Sequence, residues 1–108
     1  MNIINKVKEE SYIQWIENFV KRVIDASGIE CNEVVIVDIE FSERIFITID
    51  GKDYDIRTWN FHTVAVDSKG DPCAEMVRYT LFKMIWNEDG SGRGEEINNG
   101  TLRIQWEN

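Results

Sequence analysis

The sequence of 108 residues has little of what marks several common protein classes, with one proline, one histidine and two cysteines. Cys31 and Cys73 form no Cys-x-x-Cys motif, so they predict neither a disulfide framework nor a zinc site, and they suit a reducing compartment. No apolar run approaches the length of a membrane span, and residues 1–10 lack the apolar centre of a signal peptide. These absences predict a soluble, cytoplasmic protein without membrane association.

Basic residues are also scarce. The chain has 12 Lys and Arg against 20 Asp and Glu, which gives a net charge of −8. A negative field of this size repels nucleic acid and anionic lipid, and it speeds encounter with a basic partner. A net negative charge also increases solubility, without any binding role. We therefore expect no direct nucleic-acid binding, and the charge suits either solubility alone or a basic protein partner.

The chain does contain enough apolar material for a core, since 43% of its residues are hydrophobic and it has four Trp, five Phe and three Tyr. At this length a single domain spanning residues 1–108 is predicted. Residues 11–27 predict a first helix, because their apolar side chains recur at helical spacing. Gly28 is expected to end it in the left-handed conformation that glycine tolerates.

Alternation of apolar and polar residues with a period of two predicts the strands. The predicted stretches are residues 33–41, 45–50, 53–58, 60–67 and 101–106, with 60–67 left open. The Asp50-Gly51 pair predicts a tight hairpin turn between the second and third of these stretches.

A second helix is predicted over residues 71–86, with an aspartate as cap and a proline in its first turn. Its apolar side chains fall on two neighbouring stripes, the second formed by Tyr79, Phe82 and Trp86. Either the first helix or a partner covers that second stripe. The predicted fold is α+β, with two helices and a mainly antiparallel four- to five-stranded sheet in the order α-β-β-β-(β)-α-β.

Cys73 and His62 are the candidates for catalysis. A thiol in the first turn of a helix has its thiolate stabilised by the amide dipole, and His62 on the preceding strand can serve as its base. A buried cysteine and a hydrogen-bonded structural histidine explain the same residues without catalysis. We expect a protein that is not an enzyme, and a cysteine-dependent enzyme using Cys73 and His62 is the alternative.

The glycine-rich stretch 87–96 predicts neither a phosphate loop nor a calcium loop. It follows a predicted helix instead of opening one, and its carboxylates would repel phosphate. As a calcium loop it would have Asn98 where a bidentate Glu is needed. We therefore expect no metal and no cofactor.

Acidic residues recur at a spacing of two on the predicted strands, which places Asp38 with Glu40, and Asp53 with Asp55, on one strand face each. A solvated strand face explains these pairs, but carboxylates beside exposed aromatics also suit recognition of a basic protein. The predicted partner-binding residues are Asp38, Glu40, Asp53, Asp55, Glu75, Tyr79, Phe82 and Trp86.

The sequence resembles the small acidic immunity proteins of bacterial toxin systems. The resemblance rests on its length, on the acidic sheet residues Asp38, Glu40, Asp53 and Asp55, and on the aromatic stretch from Tyr79 to Trp86, which an acidic, glycine-rich stretch follows. These include the immunity proteins of contact-dependent growth inhibition. The resemblance is one of overall character, because the group shares no common fold or motif. It implies a cytosolic protein that binds the toxic domain of one cognate protein, often a basic nuclease, and blocks its active site or its access to substrate.

We expect the free chain to be a monomer or a weak homodimer. A second alternative is an oligomerising structural module, which would pair through the aromatic helix or through an edge strand.

Overall fold

The computed structural model describes the backbone of residues 2–5, 10–40 and 44–105, and the side chains of residues 14–40, 44–58 and 66–104. The described elements are β1 (Asn2–Asn5), α1 (Glu10–Ser27), β2 (Glu33–Glu40), β3 (Arg44–Ile49), β4 (Lys52–Val66), β5 (Pro72–Trp86) and β6 (Gly92–Gln105). All six strands form one sheet in the order β1 to β6; β1 runs parallel to β2, and every other neighbouring pair is antiparallel. The α+β class and the mainly antiparallel sheet are confirmed, but the described residues form one helix and not two.

Helix α1 forms because apolar side chains recur along one stripe, where Ile16, Val20 and Ile24 are fully buried. Gly28, at φ 70°, ends it, and the N–H of Ile29 donates to the carbonyl of Ile24 over 3.4 Å in a glycine-ended cap. The predicted first helix and its glycine stop are confirmed. No helix in the described part of the chain is long and apolar enough to cross a membrane.

Strands β3 and β4 meet at a turn in which Asp50 and Gly51 have φ values of 50° and 82°. Two successive positive φ values are typical of the primed turn that the sequence predicts here. The Asp50 carboxylate accepts hydrogen bonds from the backbone N–H groups of Asn32 and Glu33, which ties the turn to the start of β2. The turn thereby fixes the register of β3 and β4, and it is anchored to the start of β2.

The core lies between α1 and one face of the sheet. Its sheet side is formed by alternate residues of β2 to β5, namely Val34, Ile36, Ile45, Ile47, Ile49, Ile56, Val77, Tyr79 and Leu81. This alternation confirms the predicted strands over 33–41 and 45–50, except that residue 41 lies outside the described residues.

Three strands differ from the prediction in extent. Strand β4 is continuous through Val66, so the predicted stretches 53–58 and 60–67 are parts of one strand. Strand β6 begins at Gly92, so residues 92–96 belong to the sheet and not to a loop. Strand β1 was not predicted, and residue 106 lies outside the described residues.

The predicted helix over residues 71–86 is wrong, because residues 72–86 form strand β5. This strand pairs along its length with β4 on one side and β6 on the other. Aromatic and β-branched side chains, which favour strands, fill both of its faces. Pro72 is its first residue, a position where a strand tolerates a missing donor.

Alternation along β5 separates the three aromatic residues that a helix would have grouped. Tyr79 lies on the α1 side, is only 3% exposed, and meets the ring of Phe19 edge-on at 6.3 Å between centroids. Its hydroxyl accepts a hydrogen bond from Nδ2 of Asn98 over 3.1 Å. Phe82 and Trp86 lie on the opposite face. Tyr79 is therefore a core residue.

Replacement of Tyr79 with Phe is expected to change how stability depends on alkaline pH. Burial raises the pKa of Tyr79 above its ordinary value, so the unfolded phenol ionises first, near pH 10. The contribution of Tyr79 to stability is thus complete below pH 10 and is lost as the pH rises toward the folded pKa. Urea unfolding at pH 7 and at about pH 10.5 gives the free energy of unfolding at each pH. Between these pH values it should fall less for the variant than for the wild type.

At pH 7 the same variant should be about 1 kcal/mol less stable, because the hydrogen bond from Asn98 is lost. Equal alkaline losses in variant and wild type would contradict the role assigned to Tyr79.

Candidate functional site

The face of the sheet opposite α1 is covered by no described helix or strand, because the six strands lie in one sheet and α1 packs on its other side. We call it the uncovered face, and its centre carries Arg44, Phe46, Asp55, Arg57, Phe82 and Trp86. Phe46 pairs with Asp55 across β3 and β4, and Asp55 pairs with Phe82 across β4 and β5. Directly paired residues share a face, so Asp55 lies between two phenylalanines.

Asp55 is fully buried although no described helix or strand covers this face. Its Oδ2 accepts hydrogen bonds from Nη2 of Arg44 over 2.7 Å and from Nε of Arg57 over 3.1 Å. A buried carboxylate needs such partners, since removing it from water costs several kcal/mol. The hydrogen bond to Asp55 raises the pKa of Arg44 above its ordinary value, and the charges of Asp55 and Glu40 act in the same direction.

Each of the two guanidiniums also lies over an aromatic ring. The Cζ of Arg44 is 4.8 Å from the ring centroid of Phe46, and the Cζ of Arg57 is 4.9 Å from that of Phe82. These are cation–π distances. The two arginines, the carboxylate and the two rings thus form one packed cluster.

Trp86 lies at the end of β5 next to this cluster and is 56% exposed. Its Nε1–H donates to Oδ2 of Asp53 over 2.8 Å. The ring lies over Gly92 of β6, where a Cβ would come within 2.5 Å of it. Asp53 and Gly92 together hold a large aromatic surface in place while leaving it open to solvent.

Asp38 and Glu40 lie on β2, at one side of the same face. Asp38 pairs with Phe46 and Glu40 pairs with Arg44, and both carboxylates are exposed. A bulge after Ile36 brings them to this face, because it shifts the register of β2 by one residue. The two acids form a rim beside the aromatic centre.

Six of the eight predicted binding residues therefore lie on one face. They are Asp38, Glu40, Asp53, Asp55, Phe82 and Trp86. Glu75 and Tyr79 lie on the α1 side, because they alternate with Phe82 and Trp86 along β5. Asp55 is too deeply buried to contact a partner directly, and it acts instead by holding the two arginines.

Arg44, Phe46 and Arg57 belong to the site, but they are not among the predicted binding residues. The signal for them is the Asp50-Gly51 turn, which pairs Ile49 with Lys52 and, counting outward, Phe46 with Asp55. Alternation then puts both arginines beside that carboxylate.

The argument for catalysis by Cys73 is that the first turn of a helix would stabilise its thiolate. That argument is wrong, because Cys73 lies at the start of strand β5. The backbone of His62 pairs with Val77, four residues farther along β5 and so about 13 Å from Cys73. The side chain of His62 lies outside the described residues. Arg103 donates from Nη2 to the sulfur of Cys73 over 3.6 Å.

Pairing of two copies through an aromatic helix is excluded for the same reason, because residues 72–86 form a strand. Among the described side chains, no three His, Cys, Asp or Glu residues come together as metal ligands.

Comparison with protein-family models, with curated proteins and with solved structures finds no match to this chain.

Proposed function

We propose that this chain is an immunity-type inhibitor that binds and neutralises a cognate basic toxin domain through its uncovered face. The observation that supports this most is Trp86, which is 56% exposed beside the partly buried rings of Phe46 and Phe82. Aromatic and arginine side chains carry much of the binding free energy in protein interfaces. A sheet face that presents both, without a described helix or strand over it, is well suited to docking a protein.

The charges around these rings suit a basic partner. Asp38 and Glu40 are exposed at the rim, Asp53 is exposed beside Trp86, and the whole chain has a net charge of −8. Opposite charge raises the association rate and disfavours acidic competitors. A nuclease is the toxin class that suits this surface best, because an enzyme that acts on nucleic acid needs a basic surface. Such an inhibitor works in the cytoplasm and needs no catalytic residue, metal or cofactor.

The proposed function is tested by capture followed by a rescue assay. Tagged protein captures partners from its native cells at moderate salt, and mass spectrometry identifies the bound domain. That domain is then expressed alone and together with this chain. We expect one basic domain at equal stoichiometry, which arrests growth alone and is harmless in the presence of the chain. Capture of the chain alone, or growth arrest that the chain does not relieve, would contradict the proposal.

Reversal of the rim charges, Asp38→Lys with Glu40→Lys, is expected to slow association with the captured domain about tenfold at low salt. Dissociation should change little, because exposed rim charges act mainly on the encounter. Stopped-flow or surface-plasmon measurements at several salt concentrations separate the two rates. The difference between variant and wild type should shrink toward about 0.5 M salt.

A matched control is Asp25→Lys with Glu30→Lys, which changes the net charge equally but lies away from the uncovered face, at the end of α1 and just after it. The control should associate closer to the wild-type rate. If both variants slow association equally, only the net charge matters and the rim has no special role.

A further inference from the structure

The centre of the uncovered face carries more positive charge than its own carboxylate balances. Asp55 contributes one negative charge, and Arg44 and Arg57 contribute two positive charges, all joined through one carboxylate oxygen. A single arginine would be enough to neutralise the buried carboxylate. The cluster alone thus has a net charge of +1, although the exposed carboxylates of Asp38, Glu40 and Asp53 lie on the same face and the whole chain has a net charge of −8.

Both guanidiniums are held in place but remain accessible. Each is fixed by one hydrogen bond to Asp55 and by one aromatic ring, at 4.8 Å for Arg44 and 4.9 Å for Arg57. Their side chains are nevertheless 38% and 48% exposed, respectively. Groups fixed before binding lose less conformational entropy when a ligand arrives. The two arginines are thus preorganised donors.

The hydrogen bonding of the cluster is also incomplete. Arg57 uses only its Nε toward Asp55, so its two outer nitrogens have no acceptor among the described residues. Nε of Arg44 and Oδ1 of Asp55 are buried and have no hydrogen-bond partner in the described part of the chain. These two buried atoms are out of a partner's reach, and Oδ1 would need a donor, so the donors left for another molecule are the exposed nitrogens of the two guanidiniums.

We propose that Arg44 and Arg57 together bind a carboxylate side chain of the partner protein. The inference rests on the proposed function and names the group that the centre of the uncovered face recognises. Arginine presents parallel N–H donors that match the two oxygens of a carboxylate. The overall negative field rejects a polyanion such as nucleic acid, whereas a single carboxylate on a basic domain can approach.

The first test needs no partner. The free protein is titrated with sodium acetate while NMR follows the side-chain N–H signals of Arg44 and Arg57, and sodium chloride at equal ionic strength gives the reference. We expect saturable shifts for these two arginines and not for Arg78, which is exposed on the same face. Unsaturated shifts that match those in chloride would overturn the proposal, as would saturation by inorganic phosphate without saturation by acetate.

The second test uses the captured basic domain and the variant Arg57→Lys, which keeps the charge but loses the planar fork. Dissociation is expected to be about tenfold faster than for the wild type, with little change in association rate. Arg78→Lys is the matched control and should dissociate at the wild-type rate. Thermal unfolding of each variant confirms that the fold is retained.

The outcomes separate the two proposals. If the wild-type chain fails to bind or neutralise the captured domain, the proposed function fails, and the acetate titration still decides whether the arginines form a carboxylate site. If the wild type binds and Arg57→Lys dissociates no faster, the carboxylate site is wrong while the proposed function stands.

Discussion

Replacement of both Arg44 and Arg57 with Met is expected to lower the free energy of unfolding by about 3 to 5 kcal/mol. The two arginines supply both hydrogen bonds described for the Asp55 carboxylate, which is fully buried. Without them the protein must fold around a buried and unpaired charge. Urea unfolding at pH 7, followed by circular dichroism, measures the loss as a lower midpoint at an unchanged slope.

A third substitution, Asp55→Leu, added to this double variant serves as its control. Replacing a whole buried ionic cluster by apolar side chains of similar size is often neutral or stabilising. The triple variant should therefore regain most of the lost stability. A double variant that unfolds at the wild-type urea concentration would contradict the account of Asp55, and so would a triple variant that stays as unstable as the double.

Truncation of Trp86 to Ala is expected to weaken binding to the captured basic domain about 30-fold, or by about 2 kcal/mol, which is the level of an interface hot spot. Adding Phe82→Ala should bring the loss to about 100-fold or more, mainly through faster dissociation. The stability cost of Trp86→Ala alone should be small, because the side chain is 56% exposed. Surface-plasmon measurements give the affinity, and urea unfolding gives the stability.

Val66→Ala is the control for this truncation. Val66 is 59% exposed, as accessible as Trp86, but it lies at the far end of the β4–β5 hairpin. Its truncation should leave the affinity at the wild-type value. If Val66→Ala weakens binding while Trp86→Ala does not, the docking surface lies elsewhere.

Where local signals agree with one another, the sequence predicts the fold correctly. The stripe of α1 and its stop at Gly28 point to one helix, and the alternation of β3 points to one strand. The Asp50-Gly51 turn also determines the register of the β3–β4 hairpin, because a two-residue turn with positive φ leaves few alternatives.

The prediction of a helix over residues 71–86 is wrong because the side chains of β5 are apolar on both faces. A strand of this kind satisfies a helical period as well as a period of two, so periodicity alone does not decide. The missing signal lies in the two flanking turns, 67–71 and 87–91. Each turn has five residues, and the fourth is a glycine with a positive φ. These glycines are Gly70 and Gly90. Two such hairpin turns 20 residues apart imply one long strand between them.

The same misassignment limited the prediction of the site. As a helix, residues 71–86 would group Glu75 and Tyr79 with Phe82 and Trp86, whereas a strand sends the first two to the core side. A period of two correctly puts Asp53 with Asp55, and Asp38 with Glu40, on one face each. It also groups the β2 pair with Val34 and Ile36, which is wrong because the bulge after Ile36 moves the pair to the opposite face. The burial of Asp55 was not foreseen, because it depends on side chains of three neighbouring strands.

The most direct test of the uncovered face as a docking surface is an NMR titration of isotope-labelled protein with the captured basic domain. We expect the indole N–H of Trp86 and the methyl group of Met84, which lies between Phe82 and Trp86 on this face, to shift most and to saturate at one equivalent. Signals of the exposed residues of α1, such as Lys21 and Asp25, should stay unchanged. Shifts concentrated on α1, with Trp86 and Met84 unaffected, would contradict the account.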